Sequence, residues 1–101
     1  MGLRVEPLRS VRGFRLTGDL DFFGIEGLRE MLRPELHGTL FLDLFNVGFM
    51  DDSGLGVLAW ALHGLQKQRG TLVLWNPPRS IRRVFEMTGL DRVEGLRIDP
   101  P

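Results

Sequence analysis

Leu40-Phe41-Leu42-Asp43-Leu44-Phe45 runs straight into Asn46-Val47-Gly48-Phe49-Met50-Asp51-Asp52-Ser53-Gly54-Leu55-Gly56. The first six residues are apolar apart from one Asp, which reads as a strand covered on both faces. From Ser53 to Arg69 apolar residues recur at helical spacing, and Gly70 supplies a C-terminal stop. A strand that hands over to a long helix is half of a βαβ unit. Two carboxylates, one hydroxyl and two glycines meet at the hand-over, and Ser53 is one of only three serines in the chain.

Outward from this junction the pattern repeats. Residues 71–75 form a second apolar strand, ended by Asn76-Pro77-Pro78. Ile81, Val84, Phe85 and Thr88 mark a third helix capped by Gly89, and residues 93–98 make a last short strand. On the N-terminal side, residues 3–8 alternate and read as an edge strand, where Pro7 is tolerated. Ser10-Val11-Arg12-Gly13 is a turn, and residues 14–17 alternate again, so the first two strands form a hairpin. Gly18-Asp19-Leu20-Asp21 breaks that pattern, with Asp21 as the expected N-cap of a helix marked by Ile25, Leu28, Met31 and Leu32. Of Phe22 and Phe23 at its start, one is expected in the core and the other bordering the rim at the strands' C-terminal ends. Pro34 ends or kinks the helix at Arg33. The expectation is a single α/β domain over residues 1–101. Its mixed sheet has about five strands, a hairpin and then βαβ units, with helices packed on it.

If the strands at 14–17, 40–45 and 71–75 run parallel, their C-terminal ends share one rim, where open α/β sheets usually hold ligands and partners. That rim carries Asp19, Asp21, Asn46 to Ser53, Asn76 and Pro77.

Composition narrows the function. At 101 residues there is enough chain for one core. Thirteen basic and thirteen acidic residues cancel, which argues against nucleic acid or an anionic membrane as the main partner. No apolar run reaches membrane-span length, and Arg4 and Glu6 stand where a signal peptide would be apolar. Cysteine is absent, so thiolate metal sites and disulfides are excluded. The default location is cytoplasmic.

The rim offers little chemistry. Hydrolysis through Ser53 needs a base, but His37 lies at the bottom of a helix and His63 nearly three turns along the next one. A phosphoaspartate receiver needs a lysine at the rim, and the one lysine, Lys67, sits near the far end of the long helix. Gly54-Leu55-Gly56-Val57-Leu58-Ala59 fits G-x-G-x-x-A. It lacks the tight turn from the strand, however, and Asn76-Pro77-Pro78 replaces the acid that a dinucleotide site needs. No His and Asp spacing supports a metal. Neither catalytic residues nor a cofactor are expected.

Ser53 at a helix start reads first as a cap, worth about 1 kcal/mol. Asp51 and Asp52 read as first-turn acids that complement the helix dipole. Asp19 and Asp21 read as turn and cap residues. On the long helix, Leu55, Leu58, Leu62 and Leu65 share one face. Trp60 points away from them, on the Ser53 side, between Gly56 and Gly64. It is expected to be a flat apolar platform for a partner or a second copy, so a weak homodimer is a further expectation.

These residues resemble the STAS domains of the bacterial anti-sigma factor antagonists. Leu16-Thr17-Gly18-Asp19-Leu20-Asp21 is similar to the family's Leu-Ser/Thr-Gly-Glu-Leu-Asp segment. Leu42-Asp43-Leu44 and Phe49 to Leu58 resemble its central motif. Leu74-Trp75-Asn76-Pro77 and the stretch from Arg82 to Leu90 resemble its later strand and helix. The resemblance implies a non-enzymatic partner switch. The domain binds an anti-sigma factor that is also a serine kinase, which releases the sigma factor. The kinase uses its own ATP to phosphorylate the motif's serine, here Ser53, and a serine phosphatase reverses the step. The implied partner surface comprises Asp19, Asp21, Asn46, Phe49, Met50, Asp51, Asp52, Ser53, Gly54 and Gly56, with Trp60 added from the helical phase. The residue before the acceptor is commonly Ser or Thr in the family and is Asp52 here, which removes a second acceptor. Many members have one more C-terminal helix, expected to be short or absent here. The alternative is a scaffold or stressosome-like interaction subunit of the same fold that is never phosphorylated.

Overall fold

The computed structural model describes residues 2–101. In chain order the elements are β1 (Leu3–Pro7), β2 (Gly13–Leu20), α1 (Ile25–Leu32), a 3₁₀ turn (Arg33–Glu35), β3 (Thr39–Met50) and α2 (Asp52–Gln66). Then come β4 (Thr71–Trp75), α3 (Arg79–Thr88), a second 3₁₀ turn (Leu90–Arg92) and β5 (Leu96–Asp99). The five strands lie side by side in sequence order. β1 and β2 form the expected antiparallel hairpin, and the other three pairs are parallel.

This order decides where the helices go. Crossovers between parallel strands are right-handed, and a sheet built in one direction then places every crossover helix on the same face. The inward residues of α1, α2 and α3 accordingly share one cluster with Leu40, Leu42, Leu44, Leu72 and Leu74. β3 is therefore not covered on both faces. Its leucines are buried, while Phe41 is half-exposed and Phe45 is exposed on the other face. The run reads as two-sided because its outward positions are screened by one another. The rings of Phe41 and Trp75 lie 5.1 Å apart. Asp43, only 6% exposed, pairs with Arg15 at 3.2 Å and accepts the Phe45 N–H at 3.1 Å. Trp75 belongs to this second face rather than to the core, and its indole N–H donates to Asp99 at 3.1 Å.

Two elements run longer than their sequence pattern. β2 continues through Gly18, at φ +113°, to Leu20, and its register with β3 shifts between Arg15 and Thr17 and again between Gly18 and Asp19. The glycine and aspartate bulge the strand rather than end it. β3 likewise continues to Met50, with Phe45 and Asn46 both exposed between the buried Leu44 and Val47. Asp21 is not the N-cap of α1. That position is Gly24, without a side-chain bond. β5 starts at Leu96, later than the pattern implied.

Candidate functional site

β3 outruns β4. Its last partner there is Trp75, opposite Asp43, whereas its pairing with β2 continues to Leu20 opposite Met50. The expected common rim is therefore stepped. Asn76 and Pro77 leave the sheet level with the middle of β3. Asp21, Met50, Asp51, Asp52, Ser53 and Gly54 gather at its far end, around the start of α2. Asp19 pairs with Phe49 on the same upper segment, and Asn46 is exposed below them.

Asp51 organises this corner. It is the N-cap of α2, in extended geometry, and its Oδ1 accepts the Gly54 N–H at 3.0 Å. Its Oδ2 accepts the Phe22 N–H at 3.3 Å, and its own N–H donates to the Leu20 carbonyl at 3.3 Å. One residue thus closes the helix, ties down the turn before α1 and continues the sheet edge. Ser53 is not the cap. It is the second helical residue, half-exposed, and its hydroxyl makes no hydrogen bond among the described residues. Asp51→Ala is expected to cost about 1–2 kcal/mol. In a domain of this size that lowers the unfolding temperature by roughly 5–10 °C in a thermal melt. Ser53→Ala should stay within about 0.5 kcal/mol of the parent.

Gly54 fixes how closely α2 approaches β2. A Cβ there would lie 2.0 Å from the Leu20 carbonyl oxygen and 2.9 Å from its carbon.

A family model for the STAS domain matches residues 3–100. The chain belongs to the STAS domain family. It is 34% identical over 95 residues to an anti-sigma-B factor antagonist of Staphylococcus aureus, a match covering 89% of this chain and 88% of that protein. The anti-sigma factor antagonist SpoIIAA, solved in its unphosphorylated form, superposes with a TM-score of 0.76 at 25% identity, over 95% of this chain and 86% of SpoIIAA. The Bacillus cell fate determinant SpoIIAA in its phosphorylated form gives 0.72 at 26%, over 95% and 89%. These relatives are regulatory binding proteins.

Within this STAS domain one expected site residue needs correction. Trp60 is not a free platform. It packs against the core from one side, and the guanidinium groups of Arg29 and Arg33 each lie 5.3 Å from its ring centre. The helical phase placed it away from the leucine face, but α1 and the turn after it pack over that side of α2. Gly56 is on the surface as expected, and a Cβ there meets nothing within 4 Å. Gly56→Ala should therefore raise stability by about 0.5–1 kcal/mol through helix propensity alone, measured as a higher unfolding temperature.

Neither Phe22 nor Phe23 is in the core. Both rings stand outside, 66% and 88% exposed, edge to face at 5.6 Å. Continuing the spacing of Ile25, Leu28 and Leu32 back one turn lands on Phe22, the phase of a core residue. The helix begins only at Ile25, so residues 22–24 follow a turn instead. The Phe23 N–H donates to Asp21 Oδ1 at 3.1 Å and the Gly24 N–H to the Asp21 carbonyl at 3.0 Å. Two adjacent aromatics straight after Asp-Leu-Asp were the available signal.

Among the described residues, no His, Asp and Glu side chains assemble into a metal-sized group, and no helix is long and apolar enough to cross a membrane.

Proposed function

We infer that this STAS domain is an anti-sigma factor antagonist controlled at Ser53. Unphosphorylated, its rim binds an anti-sigma factor that is also a serine kinase, and the sigma factor is released. Phosphate on Ser53 ends that contact, and a serine phosphatase restores it. The domain itself is no enzyme. It needs no cofactor, and ATP belongs to the kinase. Its site of action is the cytoplasm, with neither nucleic acid nor membrane as partner.

The observation that carries this reading is the state of the Ser53 hydroxyl. Asp51 caps the helix, so the serine oxygen has no structural duty and stands half-exposed. A phosphate there adds about −1.5 to −2 charges at pH 7. The N-terminus of α2 favours an anion, while the neighbouring Asp51 and Asp52 oppose it. The fold is kept and the surface changes.

Incubation with the anti-sigma kinase and ATP, followed by mass spectrometry, should place one phosphate on Ser53. Phosphate elsewhere, or none, sinks the assignment. Asp52 gives a specific reason for the second reading, a scaffold that is never phosphorylated, because its exposed carboxylate already puts a negative charge beside the acceptor. A Ser53 that never carries phosphate in cells, growing or stressed, while the partner stays bound throughout would favour the scaffold.

A further inference from the structure

The balanced charge of the chain hides a segregation. Residues 16–28 and 40–66 cover the end of β2, the turn into α1 and its first half, nearly all of β3, and all of α2. They contain no lysine or arginine. Glu26 and Asp43 pair with Arg29 and Arg15 from outside these segments, but Asp21, Asp51 and Asp52 gather around the start of α2 beside Ser53. In this zone Phe23 is the most exposed large apolar side chain, at 88%, and Phe22 stands beside it at 66%. They are not loose. A carboxylate holds each backbone N–H, Asp51 for Phe22 at 3.3 Å and Asp21 for Phe23 at 3.1 Å, and the rings brace each other. Asp51 is also the cap of α2, so the aromatic pair and Ser53 depend on one carboxylate.

A fixed pair of exposed rings is apolar surface without a partner in the fold. Being ordered already, it loses little entropy on binding. The surrounding charge decides the occupant. A second copy docked here would bring like charges together, and an anionic bilayer would be repelled. We propose that Phe22 and Phe23 are the apolar anchor of the Ser53 surface, and that they fit a protein presenting an apolar socket fringed with arginine or lysine. This rests on the reading of Ser53 as the phosphorylated switch, and it says how the switch works. Phosphate beside the socket must be stripped of water, a desolvation cost rather than a long-range repulsion.

The test uses the full chain in its native cells, with photoreactive p-benzoylphenylalanine replacing Phe23 or, as control, the exposed Met87 of α3. A protein adduct is expected at 23 and not at 87, and it should vanish with Ser53→Asp. The captured protein then serves as titrant. F22S/F23S should weaken binding at least tenfold without lowering the unfolding temperature. The loss caused by phosphate on Ser53 should persist at about 1 M salt, where the Debye length is about 3 Å. Equal affinity of F22S/F23S and parent overturns the anchor. So does the absence of an adduct at 23 in cells where the kinase is present and Ser53 is unphosphorylated. Adducts to lipid or to a second copy overturn the proposed occupant. A Ser53-dependent adduct to a protein that does not phosphorylate Ser53 leaves the anchor standing and overturns the kinase reading instead.

Discussion

Gly54→Ala is expected to destabilise the domain by about 2–3 kcal/mol, after the roughly 1 kcal/mol that alanine returns in helix propensity. The added methyl would lie 2.0 Å from the Leu20 carbonyl oxygen, and its nearest neighbours are backbone rather than the end of a flexible side chain. Relief requires α2 to lift from β2. That would strain the Asp51 N–H bond to the Leu20 carbonyl and the Asp51 cap on Gly54. The unfolding temperature should fall by roughly 10–20 °C. Two residues on, Gly56→Ala carries the same chemical change into open space and should act in the opposite direction. A calorimetric pair with the same sign for both would show that close approach of α2 to β2 is not what Gly54 provides.

Ser53→Asp should weaken binding to the anti-sigma factor at least 100-fold, about 2.7 kcal/mol, while Ser53→Ala stays near the parent. The contrast follows from the position. As the second residue of α2, Ser53 sits where the helix dipole favours a negative side chain by about 0.3–1 kcal/mol. The aspartate should leave the unfolding temperature unchanged or slightly raised. Affinity and stability then move independently, as a switch requires. Alanine removes only a hydroxyl that bonds to nothing among the described residues. Titration calorimetry giving equal affinities for the two variants would remove Ser53 from the mechanism.

Much of this was legible in the residues. The α/β class, the hairpin, the parallel strands and the third helix with its Gly89 cap all follow from periodicity and turn residues, because each depends on near neighbours. Gly89 is left-handed at φ +81°, as its place after Thr88 implies. The place of Ser53 at the strand–helix junction follows in the same way, while its role as acceptor is what the resemblance of the central motif implies.

What residue order could not assign was the division of labour at the rim. Asp51 and Ser53 are both good caps by type. The choice went to Asp51 because its second oxygen also reaches the Phe22 N–H, a contact between segments far apart in sequence. Trp60 has the phase of a surface residue, yet two arginines from the neighbouring helical segment cover it. Phe22 has the phase of a core residue, yet it stands in water because α1 starts three residues later. The sequence by itself determined the elements, their order and the serine at their junction, since local spacing and glycine conformations are properties of the chain. The tertiary structure alone decided which hydroxyl is unoccupied and which aromatics face outward, because both depend on which distant group arrives first at the same polar atom or the same apolar face.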